Sequence, residues 1–132
     1  MIRLGLLLAA LALPAAAQER LTPEEFLSRV TGKTVSFYAR VSGQLVGVEQ
    51  FLSPSLSVWR GQENKCVYGE ITTPEGQVCF LYRDLGRTTP VCWFPFEMDG
   101  ELMVMHADLS RSEIQIAKFD ERGLGCPETP LS

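Results

Sequence analysis

The sequence has little of what metal enzymes and nucleic-acid binders are built from. It holds one histidine, His106, in 132 residues, and none of its four cysteines stands in a Cys-x-x-Cys pair. Neither zinc-ribbon nor thioredoxin spacing is present. There is no basic stripe or polybasic tail. The formal charge is -4, with both signs spread along the chain, so no nucleic acid is expected as a partner. No glycine-rich loop is placed to cradle a phosphate, and no repeat or low-complexity segment appears. Long hydrophobic runs are missing too. The longest, Leu4 to Leu13, is about half the roughly 20 residues a membrane-spanning helix needs.

That one run sits in a leader. Arg3 precedes it, Pro14 breaks it, and Ala15, Ala16 and Ala17 follow. The pattern predicts a signal peptide over 1–17, with cleavage after Ala17, and a periplasmic or secreted protein with no membrane insertion once the leader is removed. No cysteine follows the small residues and no arginine pair precedes the run, so neither lipid attachment nor a twin-arginine route is expected. Residues 18–132 then form one domain. All four cysteines lie within it, and an even count in an oxidising compartment reads as two disulfides.

Thr22-Pro23-Glu24-Glu25 predicts one short helix over 22–31. Thr22 caps it, Pro23 suits its first turn, Glu25 completes a capping box, and Phe26, Leu27 and Val30 share one face. From Lys33 the apolar period changes from 3.6 to 2. Strands are expected through Val35 to Val41, around Val46 and Val48, and then at 56–60, 66–72, 77–83, 91–97, 101–107 and 113–119. Turn residues separate them. The expected fold is all-β: a small antiparallel up-and-down meander of about eight strands closing into a barrel, with a coil tail over 120–132. Closure removes the exposed sheet edges.

Reflection about each turn sets a register. About Ser42-Gly43 it pairs Ala39 with Val46 and Phe37 with Val48. About Leu85-Gly86 it pairs Cys79 with Cys92, a possible cross-strand bridge. The Pro74-Glu75 turn puts Cys66 out of reach of Cys79, which leaves Cys66 to Cys126. About Asp99-Gly100 it pairs Phe94 with Met105, Phe96 with Met103 and Trp93 with His106. Two faces follow. An interior collects Val78, Phe80, Tyr82, Val91, Trp93, Leu102, Val104, His106, Ile114 and Ile116. The opposite face carries Cys79, Cys92, Phe94, Phe96, Met103 and Met105, and is either roofed by the helix or open to a partner.

Two ligand sites are therefore candidates. A small apolar molecule would enter the barrel mouth near Tyr82, Trp93 and His106, provided the interior is not filled by its own side chains. A protein partner would instead cover Phe94, Phe96, Met103 and Met105. Met103-Val104-Met105-His106 with Trp93 also invites a copper(I) reading, because thioether and imidazole suit that soft ion. These few residues resemble periplasmic copper and silver chaperones of barrel fold, which use two Met, one His and a Trp. Strand alternation, however, sets the two methionines and His106 on opposite faces unless a bulge intervenes. The carboxylates Glu97, Asp99, Glu101 and Asp108 read as solvated turn residues, since calcium needs six or more converging oxygens. His106 has no nucleophile set beside it by the register, so no catalytic residue, metal or cofactor is assigned.

Gly47, Glu49, Phe51, Val58-Trp59, Cys66, Gly69, Gln77-Val78-Cys79-Phe80-Leu81-Tyr82 and Cys92-Trp93 together resemble an uncharacterised family of small exported bacterial β-rich proteins. The Cys-Phe-x-Tyr and Cys-Trp patterns carry the likeness, over roughly residues 44–97. It implies export, a β-rich fold and disulfides, and it supplies no activity. Exported barrels that inhibit lysozyme are similar in size and strand count, without the Ser-Ala-Ser-Gly-type signature here. The reading is a non-catalytic exported binding module for a protein or a small apolar ligand, with soft-metal binding or inhibition of an extracellular enzyme as alternatives.

Overall fold

A computed structural model describes residues 18–130. The leader read at 1–17 lies outside the described residues, as do residues 131–132. The elements run β1 (Glu19–Arg20), α1 (Pro23–Val30), β2 (Thr34–Ala39), β3 (Leu45–Ser53), β4 (Leu56–Arg60), β5 (Val67–Thr72), β6 (Val78–Leu81), β7 (Val91–Met98), β8 (Glu101–His106) and β9 (Ile114–Asp120). No helix among the described residues is long and apolar enough to cross a membrane.

The helix starts where its caps require. The Thr22 hydroxyl accepts from the Glu25 N–H at 3.1 Å, and the Glu25 carboxylate accepts from the Thr22 N–H at 3.1 Å. The helix ends at Val30, and Gly32 then takes a φ of +79° that other residues rarely adopt. From β2 to β9 each strand pairs antiparallel with the next, and β2 pairs with β9 to close an eight-stranded barrel. The short β1 was not legible in the sequence. It pairs with β7 through Arg20 and Phe96, and the Leu21 N–H donates to the Pro95 carbonyl at 3.1 Å. Pro95, which has no N–H to donate, sits on β7 beyond the last residue that pairs with β6, where its carbonyl accepts from Leu21 and no bond is returned.

Strand alternation puts the β2–β3, β4–β5, β6–β7 and β8–β9 connections at one end, the mouth. The helix lies at the other. Phe26 meets Phe51 edge-on at 6.0 Å, and Phe26, Leu27 and Val30 join Val35, Phe51, Val78 and Leu102 in one buried cluster. The helix thus floors the barrel. It buries its apolar face against the interior and does not roof the outer patch of Phe94, Phe96, Met103 and Met105, one of the two arrangements open for that face.

The register expected for β6, β7 and β8 is observed: Cys79 with Cys92, Trp93 with His106, Phe94 with Met105 and Phe96 with Met103. Both disulfides form as read, Cys79 to Cys92 and Cys66 to Cys126. Two registers differ. Phe37 pairs with Gly47, not Val48, and Tyr38 pairs with Leu45 across a bulge at Val46. The cause is a loop centred one position earlier, with the Ala39 N–H donating to the Gln44 carbonyl and Gly43 at a φ of +72°. Because side chains alternate with period two, the slip turns Val48 outward and Glu49 inward. On β9, Val104 pairs with Gln115 and Met105 with Ile114. Gln115 and Ala117 are therefore buried inside, and Ile114 and Ile116 lie on the outer face, half-buried. Asp120, assigned to the tail, closes β9.

Candidate functional site

The barrel is not filled. A cavity of about 250 Å³ opens at the mouth, walled by Phe37, Trp59, Phe80, Tyr82, Val91 and Trp93, and Phe26 on α1 reaches it from below. Glycines make room for two of those walls. A Cβ on Gly47 would overlap the Trp59 ring, and one on Gly69 would come within 2.8 Å of the Tyr82 ring. A glycine inside a strand marks such a close approach. Trp59 then tilts against Phe37 with centroids 6.4 Å apart, while Tyr82 stacks on Phe80 at 6.0 Å.

Glu49 projects into this aromatic lining from β3 with 2 % of its surface exposed. The Tyr82 hydroxyl donates to its carboxyl at 3.0 Å. Burial raises the Glu49 pKa to about 8, against a smaller opposing effect of the Ser57 and Tyr82 hydroxyls. Ser57 lies close to the carboxyl, yet its buried Oγ makes no hydrogen bond, so the Tyr82 contact is the one with real bonding geometry. Desolvation, then Glu49 itself, pushes the Tyr82 phenol well above its usual range. At neutral pH Glu49 is therefore mainly a neutral acid, able to donate as well as accept.

The mouth carries both charge and grease. Arg87, Arg111 and Glu113 stand at its edge, with Arg111 and Glu113 paired at 3.4 Å. Val41, Leu85 and Leu109 sit on the loops around it, and Leu45 at the start of β3. They are four of the five large exposed hydrophobic residues among those described.

Tyr82, Trp93 and His106, the residues read as a ligand site, all line the cavity. His106 packs edge-on against Trp93 at 4.9 Å and accepts at Nδ1 from the Asp108 N–H at 3.0 Å, which orients its ring. The outer patch lies on the opposite face. Phe96 and Met103 are only 2 % and 4 % exposed, Phe94 and Met105 are half-buried, and the Arg20 guanidinium covers the Phe94 ring at 4.6 Å. The unbroken β7–β8 register keeps Met103 and Met105 apart from His106, so these residues do not converge. Of the acidic residues, Glu97 pairs with Arg29 at 2.9 Å, Glu101 with Lys118 at 3.8 Å, and Asp108 accepts from Ser110.

Sequence reasoning missed Glu49, Trp59 and Phe37 as cavity residues. The signal was present in Gly47 and Gly69, which interrupt strand patterns with no turn to explain them. Comparison with family models, with curated proteins and with solved structures finds no match for this chain.

Proposed function

We propose that this protein is a non-catalytic, exported binding module that holds a small ring-bearing ligand inside its barrel. The aromatic-walled cavity carries the reading. A site of about 150 Å³ accepts a benzene-sized guest, so 250 Å³ suits one ring with a polar substituent and is too small for an extended acyl chain. The rim aliphatics favour the passage of an apolar body. Two disulfides in a chain this small support an oxidising compartment, periplasmic or extracellular. A protein partner on the outer patch has less support, because Phe96 and Met103 at its centre are buried.

The test is a titration of the oxidised protein with toluene and with indole, followed by the indole N–H resonances of Trp59 and Trp93. Saturable shifts of both signals are expected. Trp93→Ala should weaken binding at least ten-fold, and Met105→Gln on the outer face should leave it unchanged. Titrations in which neither probe moves either signal at millimolar concentration would refute the cavity as a ligand site.

A further inference from the structure

We infer that the ligand is an organic cation, a ring-bearing ammonium whose nitrogen sits against Glu49 while its ring lies among Trp59, Phe80, Tyr82 and Trp93. This rests on the cavity reading above and narrows it. The geometry is that of an aromatic cage with an acid at its base: a carboxyl 2 % exposed, held by Tyr82 at 3.0 Å, inside a lining dominated by π faces. Aromatic faces attract ammonium groups, most strongly where water is excluded. A carboxylate guest would accept a hydrogen bond from the neutral Glu49 carboxyl, but would set its own charge against the negative π faces around it. A purely apolar guest would leave the Glu49 carboxyl only Tyr82 and the neighbouring Ser57 hydroxyl as polar company.

The charges facing Glu49 are compatible with a cation. Tyr82 donates from β6's end and stays protonated. Gln115 on β9 is neutral. At the mouth Arg111 is answered by Glu113 and His106 is turned toward Asp108; Arg87, exposed to solvent yet close enough for its charge to act on Tyr82, is the only unanswered positive charge lining the cavity among the described residues. A cation within about 4–6 Å favours the ionised carboxyl. Binding at pH 7 therefore breaks the Glu49 O–H bond, sends the proton to solvent and leaves a carboxylate paired with the guest.

The experiment is calorimetry of the full oxidised protein at pH 7 in phosphate and in Tris, with toluene, benzyl alcohol, benzoate and benzylammonium. Benzylammonium should bind at least ten-fold tighter than benzyl alcohol or benzoate. Its heat should differ between the buffers by about one released proton per site. Glu49→Gln, checked for folding by its melting transition, should lose both the preference and the buffer dependence. A second measurement needs no variant: affinity for benzyltrimethylammonium, which has no proton of its own to lose, should rise nearly ten-fold per pH unit from 6 towards 8 and then level off. If toluene binds but benzyl alcohol or benzoate equals benzylammonium, or no proton is released, the cation assignment is wrong and the cavity reading survives. If no probe binds, toluene included, both fall together.

Discussion

At the scale of single residues, Glu49 is where stability and site chemistry meet. Its pKa in the folded chain is about 8, against an ordinary value of 4.5, because burial penalises the carboxylate. Between those two values the folded chain holds a proton that the unfolded chain has released. Stability contributed by this proton is fully present below about pH 4.5 and is lost as pH rises through about 8. The loss amounts to at most about 5 kcal/mol, roughly 10 °C or more in melting temperature. The wild-type protein should therefore melt markedly lower at pH 9 than at pH 5. Glu49→Gln, which keeps the shape and removes the titration, should flatten that difference and melt above the wild type at pH 9. Melting curves at the two pH values read this directly. Equal pH dependence in both proteins would mean that Glu49 is not a buried neutral acid.

Among the elements, α1 is the floor of the site as well as the start of the domain. Phe26 is 1 % exposed, touches Phe51 edge-on and reaches the cavity. Phe26→Ala should cost about 3–5 kcal/mol, the transfer loss plus the void beneath the cavity. It should also let larger apolar probes in from the mouth. Urea midpoints check the first effect and naphthalene uptake relative to wild type the second. A cost under about 1 kcal/mol would place the helix outside the core. The capping box, the Cys79 to Cys92 register and the pairing across Asp99-Gly100 were legible because each depends on local spacing: a cap, a tight turn, a period of two. The β2–β3 hairpin was not. Its loop turns at Val41-Ser42 with an extra bulged residue at Val46, and nothing in the local pattern counts that residue. The misread face of β9 has a related cause. Ile114 and Ile116 are apolar and Gln115 is not, yet pairing with Val104 turns Gln115 inward. Local polarity pointed one way and the tertiary register decided the other. The same slip concealed Glu49, because the expected pairing put Val48 inside in its place.

For the molecule as a whole, the two disulfides do different work. Cys66 to Cys126 spans 60 residues and fastens the tail against β4 and β5, where the Tyr68 hydroxyl donates to the Pro127 carbonyl and the Arg60 guanidinium lies 3.5 and 3.8 Å from the two sulfurs. Leu124, at 9 % exposure, is held down by the same tail. Cys79 to Cys92 spans only 13 residues, but it joins the two strands that lead to Tyr82 and carry Trp93. Loop-closure entropy ranks them one way, about 4 kcal/mol for the long loop and about 3 for the short one. Position relative to the cavity ranks them the other way. Cys66→Ser with Cys126→Ser should therefore cost more stability while leaving toluene affinity within two-fold of wild type, since the tail is held at Gln50, Arg60, Cys66 and Tyr68, none of which lines the cavity. Cys79→Ser with Cys92→Ser should cost less stability and weaken toluene binding several-fold, because the β6–β7 pair then holds its aromatic walls by only a short hydrogen-bonded ladder. Urea midpoints and toluene titrations on the two double variants separate the effects. A reversed order, with binding lost on releasing the tail and kept on cutting the hairpin, would mean that the tail shapes the cavity and that the β6–β7 wall stands without its bridge.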